Sequence, residues 1–155
     1  MELDDFDRRL LDAVQEDSRR TGEVLAALVG LSPAACLRRL QRLRAAGVIE
    51  REVAIVAPRF AGPRVSLIVN VTLERERGDL IDDFARTMRK APEVSQCYYV
   101  TGTVDFVLVL TVADMEAYRD FTRRHLFGSN VRRFESMVVM GRMKFGTSVP
   151  MAAGS

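Results

Sequence analysis

The sequence is poor in the residues that build metal sites, disulfide frameworks and catalytic triads. Its 155 residues include two cysteines, one histidine and no tryptophan. Cys36 and Cys97 lie in separate apolar segments, which indicates buried free thiols and predicts a cytoplasmic protein. His125 stands alone, so we expect it to pack on a helix and to bind no metal. A phosphate-binding glycine loop, a Cys-x-x-Cys pair and a nucleophile elbow are also missing, and we expect no enzyme activity, catalytic residue or cofactor.

Long hydrophobic runs and a strong net charge are missing as well. No apolar segment approaches the ~20 residues that a membrane span requires, and the acidic N-terminus lacks the apolar core of an export signal. The net charge is only +2. Any contact with nucleic acid must therefore come from a local basic patch. A chain of this length accommodates one medium domain or two small ones.

A local basic patch occupies the segment 31–49. Ser32 is a good helix N-cap, Pro33 suits the first helical position, and Gly47 suits the C-terminal stop. Apolar residues at helical spacing bury one side of this helix. The rest of its surface carries arginine and no acidic residue: Arg38, Arg39, Arg42 and Arg44. This pattern favours a helix that lies against a polyanion, with an ordinary solvated helix face as the alternative.

The hydrophobic period divides the chain into two halves. Residues 1 to about 47 contain three helical segments, and a tight turn at 30–32 joins the second and third, as in a helix-turn-helix. Two short apolar runs, 48–49 and 53–56, predict a β-hairpin that would form a wing. Prolines and a glycine within 58–64 indicate a linker. We therefore expect a winged helix-turn-helix domain over 1–57.

From Val65 the period changes to two, and the alternation over 65–73 predicts a half-buried strand. The pattern predicts helices over 79–91 and 114–127 and strands over 94–101, 104–112 and 134–140. This β-α-β-β-α-β order is the ferredoxin-like arrangement, and alternation over 143–149 predicts a fifth strand. The predicted fold class is α+β, with the second domain spanning 65–155.

The predicted DNA-binding residues lie along the arginine-rich helix. Arginine can grip phosphate or the O6 and N7 edge of guanine, and a helix N-terminus attracts phosphate. Small residues at the helix tip can touch a thymine methyl group. The predicted set is Ser32, Pro33, Ala34, Arg38, Arg39 and Arg42. We expect modest base reading by side chains and a larger share from DNA shape.

The turn between the two central predicted strands is a candidate ligand site. Glycine allows the backbone to approach a ligand closely, free amides there can bind a carboxylate, and Asp105 could receive an ammonium group. The residues that would suit a free amino acid are Thr101, Gly102, Thr103 and Asp105. The alternative is a simple β-turn at Gly102 that Asp105 caps.

Three segments of the chain, 3–11, 29–49 and 100–118, resemble the leucine-responsive/asparagine-operon (Lrp/AsnC, feast/famine) family of transcription regulators. The resemblance implies a dimer that binds double-stranded DNA, in a family that often builds octamers and binds an amino acid between subunits. The chain departs from the family pattern at three places. Arg51-Glu52 replaces a common Gly-aromatic pair, Arg20 stands where an apolar residue is common, and Thr103 replaces the first acid of the turn.

The expected function is a sequence-specific transcription regulator whose second domain dimerises and senses a small amino acid or a related metabolite. The alternative is a ligand-binding or assembly module that has no operator of its own. The two expectations differ in whether the arginine-rich helix contacts duplex DNA.

Overall fold

The computed structural model describes residues 2–151, which divide into two compact units. One unit contains the described residues up to Ile55 together with those from Lys144 onward, and the other spans Val56–Met143. The C-terminal segment, which the sequence analysis placed with the second domain, thus groups with the N-terminal helices.

Three helices form the N-terminal unit: α1 over Asp5–Glu16, α2 over Gly22–Val29 and α3 over Pro33–Ala45. Each begins at a side-chain N-cap, because the hydroxyl or carboxylate of Asp4, Thr21 or Ser32 accepts a bond from a first-turn N–H. The turn between α2 and α3 passes through Gly30, whose φ of 79° favours glycine. The helices enclose an apolar core of Leu10, Leu11, Ala13, Leu25, Val29, Cys36, Leu40 and Leu43. The predicted helix-turn-helix is confirmed.

The predicted wing hairpin is wrong, because the structure contains no strand between α3 and residue 57. The N–H groups of Val48 and Ile49 both bond to the carbonyl of Leu43, at 3.0 and 3.4 Å, so these residues close the end of α3. The rest of the segment is extended and exposed, with Val53 and Ile55 exposing 63% and 62% of their surface. A short 3-10 turn follows at Pro58–Phe60.

The second unit has the predicted β-α-β-β-α-β order. Its elements are β1 over Val65–Leu73, α4 over Gly78–Lys90, β2 over Val94–Tyr99, β3 over Phe106–Val112, α5 over Met115–His125 and β4 over Val131–Val138. The strands form one sheet in the order β2-β3-β1-β4, and every neighbouring pair is antiparallel. This architecture confirms the α+β fold class.

One face of this sheet packs against α4 and α5. Alternate residues of β1, among them Leu67, Val69 and Val71, are fully buried with Phe84 of α4 and Phe121 of α5. The intervening residues of β1 and β3 point to the other face and are only half-buried: Ile68, Asn70, Val107 and Val109. The sheet therefore presents one half-covered face.

The predicted fifth strand is also wrong. Residues 139–151 contain no strand, and the last of them lie against α1 instead. The Gln15 amide donates from Nε2 to the Val149 carbonyl at 3.0 Å and accepts at Oε1 from the Val149 N–H at 2.7 Å. The Met151 N–H donates to Asp12 Oδ1 at 3.3 Å, and its side chain packs on the N-terminal core. A side-chain amide thus satisfies backbone groups that the sequence analysis assigned to a sheet ladder.

Candidate nucleic-acid interface and ligand-binding turn

The start of α3 is exposed and well ordered by its cap. Ser32 Oγ accepts from the Ala35 N–H at 3.2 Å, and Pro33 occupies the first turn. Ser32, Pro33 and Ala34 are all exposed. The remaining first-turn N–H groups give this end of the helix a positive potential.

The three predicted DNA-binding arginines do not share one environment. Arg39 and Arg42 turn toward α1, where the Asp7 carboxylate is only 1% exposed. Arg39 Nη1 donates to Asp7 Oδ1 at 2.9 Å and to Asp4 Oδ2 at 2.7 Å. Arg42 Nη2 donates to both oxygens of Asp7, at 2.7 and 2.6 Å. The acids that balance these arginines come from α1. The absence of acidic residues on α3 itself therefore did not mean that its arginines lack partners.

A capping box at the start of α1 fixes both acids. Asp4 Oδ1 accepts from the Asp7 N–H at 2.8 Å, and Asp7 Oδ2 accepts from the Asp4 N–H at 3.3 Å. The bond from the Asp7 N–H, followed by that from Arg39, lowers the pKa of the Asp4 carboxyl. The hydrogen bonds that Arg39 donates, first to Asp4 and second to Asp7, raise the pKa of Arg39. This cluster of Asp4, Asp7, Arg39 and Arg42, hereafter the α1–α3 ion-pair cluster, joins the two helices.

Arg38 belongs to a different flank of α3. Its side chain is exposed and makes no hydrogen bond or ion pair within residues 2–151. At 100° per residue, the exposed positions Ala34, Leu37, Arg38 and Gln41 share one arc, opposite the buried Cys36 and Leu43. Sequence reasoning assigned Leu37 to the buried apolar stripe, whereas it is 47% exposed, and it passed over Gln41, although the spacing from Ala34 at i+3 and i+7 was a signal for both. Arg44 pairs with Glu52 at 2.9 Å.

The Gly102 turn connects β2 and β3. Gly102 has a φ of 130°, a conformation that disfavours residues with a Cβ. Thr101, Gly102 and Thr103 are exposed, and their N–H groups have no hydrogen-bond partner within the described chain. These amides form an open group of donors.

Asp105 holds this turn against the sheet. Its Oδ2 accepts from the Leu73 N–H at 2.7 Å, and its own N–H donates to the Val71 carbonyl at 2.9 Å. The Asp105 carbonyl accepts from the Val100 N–H at 2.9 Å. Asp105 is half-buried, and these contacts commit one carboxylate oxygen to the backbone of β1 rather than to the N–H groups of the turn.

His125 packs at the end of α5, as expected. Its ring lies 4.9 Å from that of Phe121, and its Nε2 is buried without a hydrogen-bond partner in the described chain. Burial, with a smaller effect from Arg124, lowers the pKa of His125, while Glu93 acts in the opposite direction. Burial by itself would raise the pKa of Glu93. The net shift is downward, because the hydrogen bond from Arg124, followed by smaller contributions from the backbone and nearby charges, lowers the pKa. Cys97 is half-buried and Cys36 is buried, and both are free thiols.

No cluster of three or more histidine, cysteine or acidic side chains within residues 2–151 is placed to hold a metal ion. No helix in the same range is long and apolar enough to cross a membrane.

Two family models match the chain. The AsnC-type helix-turn-helix domain matches residues 3–44, and the Lrp/AsnC ligand binding domain matches residues 66–149. The first covers α1, α2 and most of α3, and the second covers the sheet, its two helices and the Gly102 turn.

Whole-chain relatives agree with these matches. The chain is 51% identical to an HTH-type transcriptional regulator from Sinorhizobium fredii, over 97% of this chain and 90% of that protein. It is 35% identical to the leucine-responsive regulatory protein of Escherichia coli, over 92% and 88% of the two chains. A solved transcriptional regulator from Neisseria meningitidis, in complex with L-Met, is 34% identical with a TM-score of 0.84, over 96% and 97% of the two chains. An AsnC family regulator from Agrobacterium tumefaciens is 32% identical with a TM-score of 0.85 over the same shares. The chain therefore belongs to the Lrp/AsnC family of transcription regulators.

Proposed function

We propose that this regulator binds specific duplex DNA through the exposed flank of α3. The observation that supports the proposal most is Arg38, an exposed guanidinium without a partner among residues 2–151, on a helix whose capped start is open to solvent. Ser32, Pro33 and Ala34 would lie against a phosphate and the neighbouring groove wall. Arg38 would reach a base edge or a phosphate from the same side.

Arg39 and Arg42 take a different part in this proposal. Both bonds from Arg42 to Asp7 leave from Nη2, and the Arg42 side chain remains 49% exposed. A guanidinium has five N–H donors, so its other nitrogens can still reach a phosphate. Arg39 is 25% exposed and shared between two acids, and it serves chiefly to orient α3 on α1.

The salt dependence of DNA affinity tests this proposal. Each phosphate contact should contribute about −0.9 to the slope of log affinity against log salt concentration. A steep slope for the full chain, and a shallower one for Arg38→Ala, would support contact through α3. A flat response would favour the alternative, a ligand-binding or assembly module without an operator.

The half-covered face of the sheet supports a homodimer as the second part of the proposal. Ile68, Val107 and Val109 present a largely apolar surface there, and Met137 of β4 pairs with Ile68 and is 42% exposed. Burial of such a face against a second copy would remove apolar area from water. Two α3 helices in a dimer would meet half-sites one helical turn, about 34 Å, or a multiple apart. Sedimentation of the full chain and of Ile68→Glu measures the oligomeric state. If this face joins the copies, the full chain should be a dimer and the variant a monomer.

The Gly102 turn supports an amino-acid effector. Its open amides would bind a carboxylate, while Asp105 holds the turn in place. The related Neisseria meningitidis regulator was solved with L-Met, which supports the same class of ligand here. A thermal-shift screen across the free amino acids tests the idea, because a ligand that binds only the native state raises Tm. No shift with any amino acid would remove this part of the proposal.

A further inference from the structure

The exposed arc of α3 contains one polar side chain that the proposed DNA contacts leave without a role. Gln41 lies three residues after Arg38 on the same face of the helix. It is exposed, and within residues 2–151 its amide makes no hydrogen bond with any other group. Its neighbours in sequence differ from it, since Leu40 and Leu43 are buried and Arg42 is bound to Asp7.

The chemistry of Gln41 suits a base edge better than a phosphate. A glutamine amide has both a donor and an acceptor, and it can bind N6 and N7 of adenine with two hydrogen bonds. A carboxamide has no charge, so it gains little from the phosphate backbone. Arg38 has the complementary preference, because its paired donors match O6 and N7 of guanine.

The spacing of the two side chains also fits neighbouring base pairs. Three residues of α-helix rise about 4.5 Å, and base pairs follow one another every ~3.4 Å along the duplex. Leu37 lies beside both and is 47% exposed, which places an apolar group where a thymine methyl can be contacted. Along the exposed arc, Leu37, Arg38 and Gln41 therefore offer an apolar group, a guanidinium and a carboxamide in that order.

We propose that Gln41 is a specificity-determining residue, which reads an adenine next to a guanine read by Arg38. The inference rests on the proposed function, in which α3 enters the major groove. In this proposal Arg38 and Gln41 read bases, the α1–α3 ion-pair cluster holds Arg39 and Arg42 away from the base edges, and Arg44 pairs with Glu52.

Selection from a randomised duplex library with the full chain tests this division. The wild type should enrich a site with an adenine beside a guanine in each half. Gln41→Ala should lose about tenfold of its discrimination for that adenine and keep the rest of the site. Gln41→Glu, which only accepts hydrogen bonds, should shift the preference at the same position toward cytosine, whose N4 donates.

Gln15→Ala makes the same change on α1 rather than on α3 and serves as a control for the selected site, although it removes two bonds to Val149 and should lower Tm. It should leave the selected site unchanged. Gln41 is exposed and unbonded, so both of its variants should keep the wild-type Tm. An unchanged adenine preference in Gln41→Ala would overturn the inference while leaving α3 as the DNA-binding helix. Failure of the wild type to enrich any site would overturn the proposed function itself.

Discussion

The α3 helix and the Gly102 turn are both candidate binding regions, and in both of them some predicted residues have partners within the protein. In each region, intramolecular bonds already use some of the side chains that the sequence analysis assigned to a ligand. Arg39 and Arg42 bond to Asp7, and Asp105 bonds to the Leu73 N–H. The regions differ in the groups that are proposed to bind a ligand: chiefly side chains on α3, and backbone amides in the turn.

This difference determines how each region responds to mutation. On α3, truncating an exposed side chain should change binding without changing stability. In the turn, the proposed ligand donors are backbone amides, so changes that alter the conformation of the turn should have the larger effect on binding.

The largest effect is expected from removal of the acid at the centre of the α1–α3 ion-pair cluster. Asp7→Ala takes away both oxygens that hold Arg39 and Arg42. Because these bonds involve charged groups, the free energy of unfolding should fall by about 2–3 kcal/mol, or about 5–10 °C in Tm. Calorimetry measures the change, with the exposed Asp12→Ala as a control of equal charge. Equal Tm values for both variants would contradict the structural role of Asp7.

The next prediction separates two adjacent arginines. Arg38→Ala should weaken DNA binding about tenfold with no change in Tm, because Arg38 is exposed and unpaired. Arg39→Ala should lower Tm, because it leaves the buried Asp7 with one partner fewer. Binding and melting measured on the same two samples give the comparison. If Arg38→Ala melted lower than Arg39→Ala, the assignment of the two flanks would be reversed.

The third prediction concerns the acid of the turn. Asp105→Ala removes the acceptor of the Leu73 N–H and should lower the free energy of unfolding by about 1–1.5 kcal/mol. It should also reduce any amino-acid-induced rise in Tm. Asp105→Asn retains an acceptor oxygen and should keep that rise. Loss of the rise in the asparagine variant would show instead that the negative charge of Asp105 contacts the ligand.

The smallest effect is a pH dependence from His125. Burial lowers its pKa below the ordinary value of 6.5, so the unfolded chain takes up a proton before the folded chain does as pH falls. The free energy of unfolding should therefore decrease as pH drops below about 6.5. His125→Gln keeps a polar side chain without this titration and should flatten the slope. Denaturation between pH 7.5 and 5.5 compares the two, and parallel slopes would assign the dependence to other groups.

Local signals in the sequence were enough to predict most of the fold. The cap and first turn at Ser32 and Pro33 specify the start of α3, because those residues act on backbone groups within a few positions. The two-residue period predicted β1 with the bounds that the structure has, Val65–Leu73. The wing failed because Val48 and Ile49 bond back to Leu43, a helix-ending contact that an apolar pair does not reveal.

The side-chain partners of the candidate regions could not be predicted in the same way. Arg42 and Asp7 lie 35 positions apart, and Gln15 and Val149 lie 134 apart. Residue type shows that an arginine can bind phosphate, but only the packing of α1 on α3 shows that Asp7 is within its reach. Asp105 was assigned two roles from sequence, and neither identified Leu73, 32 positions away, as the partner of its Oδ2.

The buried carboxylate of Asp7 has a consequence for the engineering of regulators of this kind. Its single negative charge offsets part of the positive charge that Arg39 and Arg42 would otherwise offer to any polyanion, whatever its base order. On a scaffold without such an acid, Arg39 and Arg42 of a grafted α3 would lack this partner, and the helix would bind DNA of any sequence more tightly. Because α1 thus limits sequence-independent DNA binding by α3, the two helices should be transferred together.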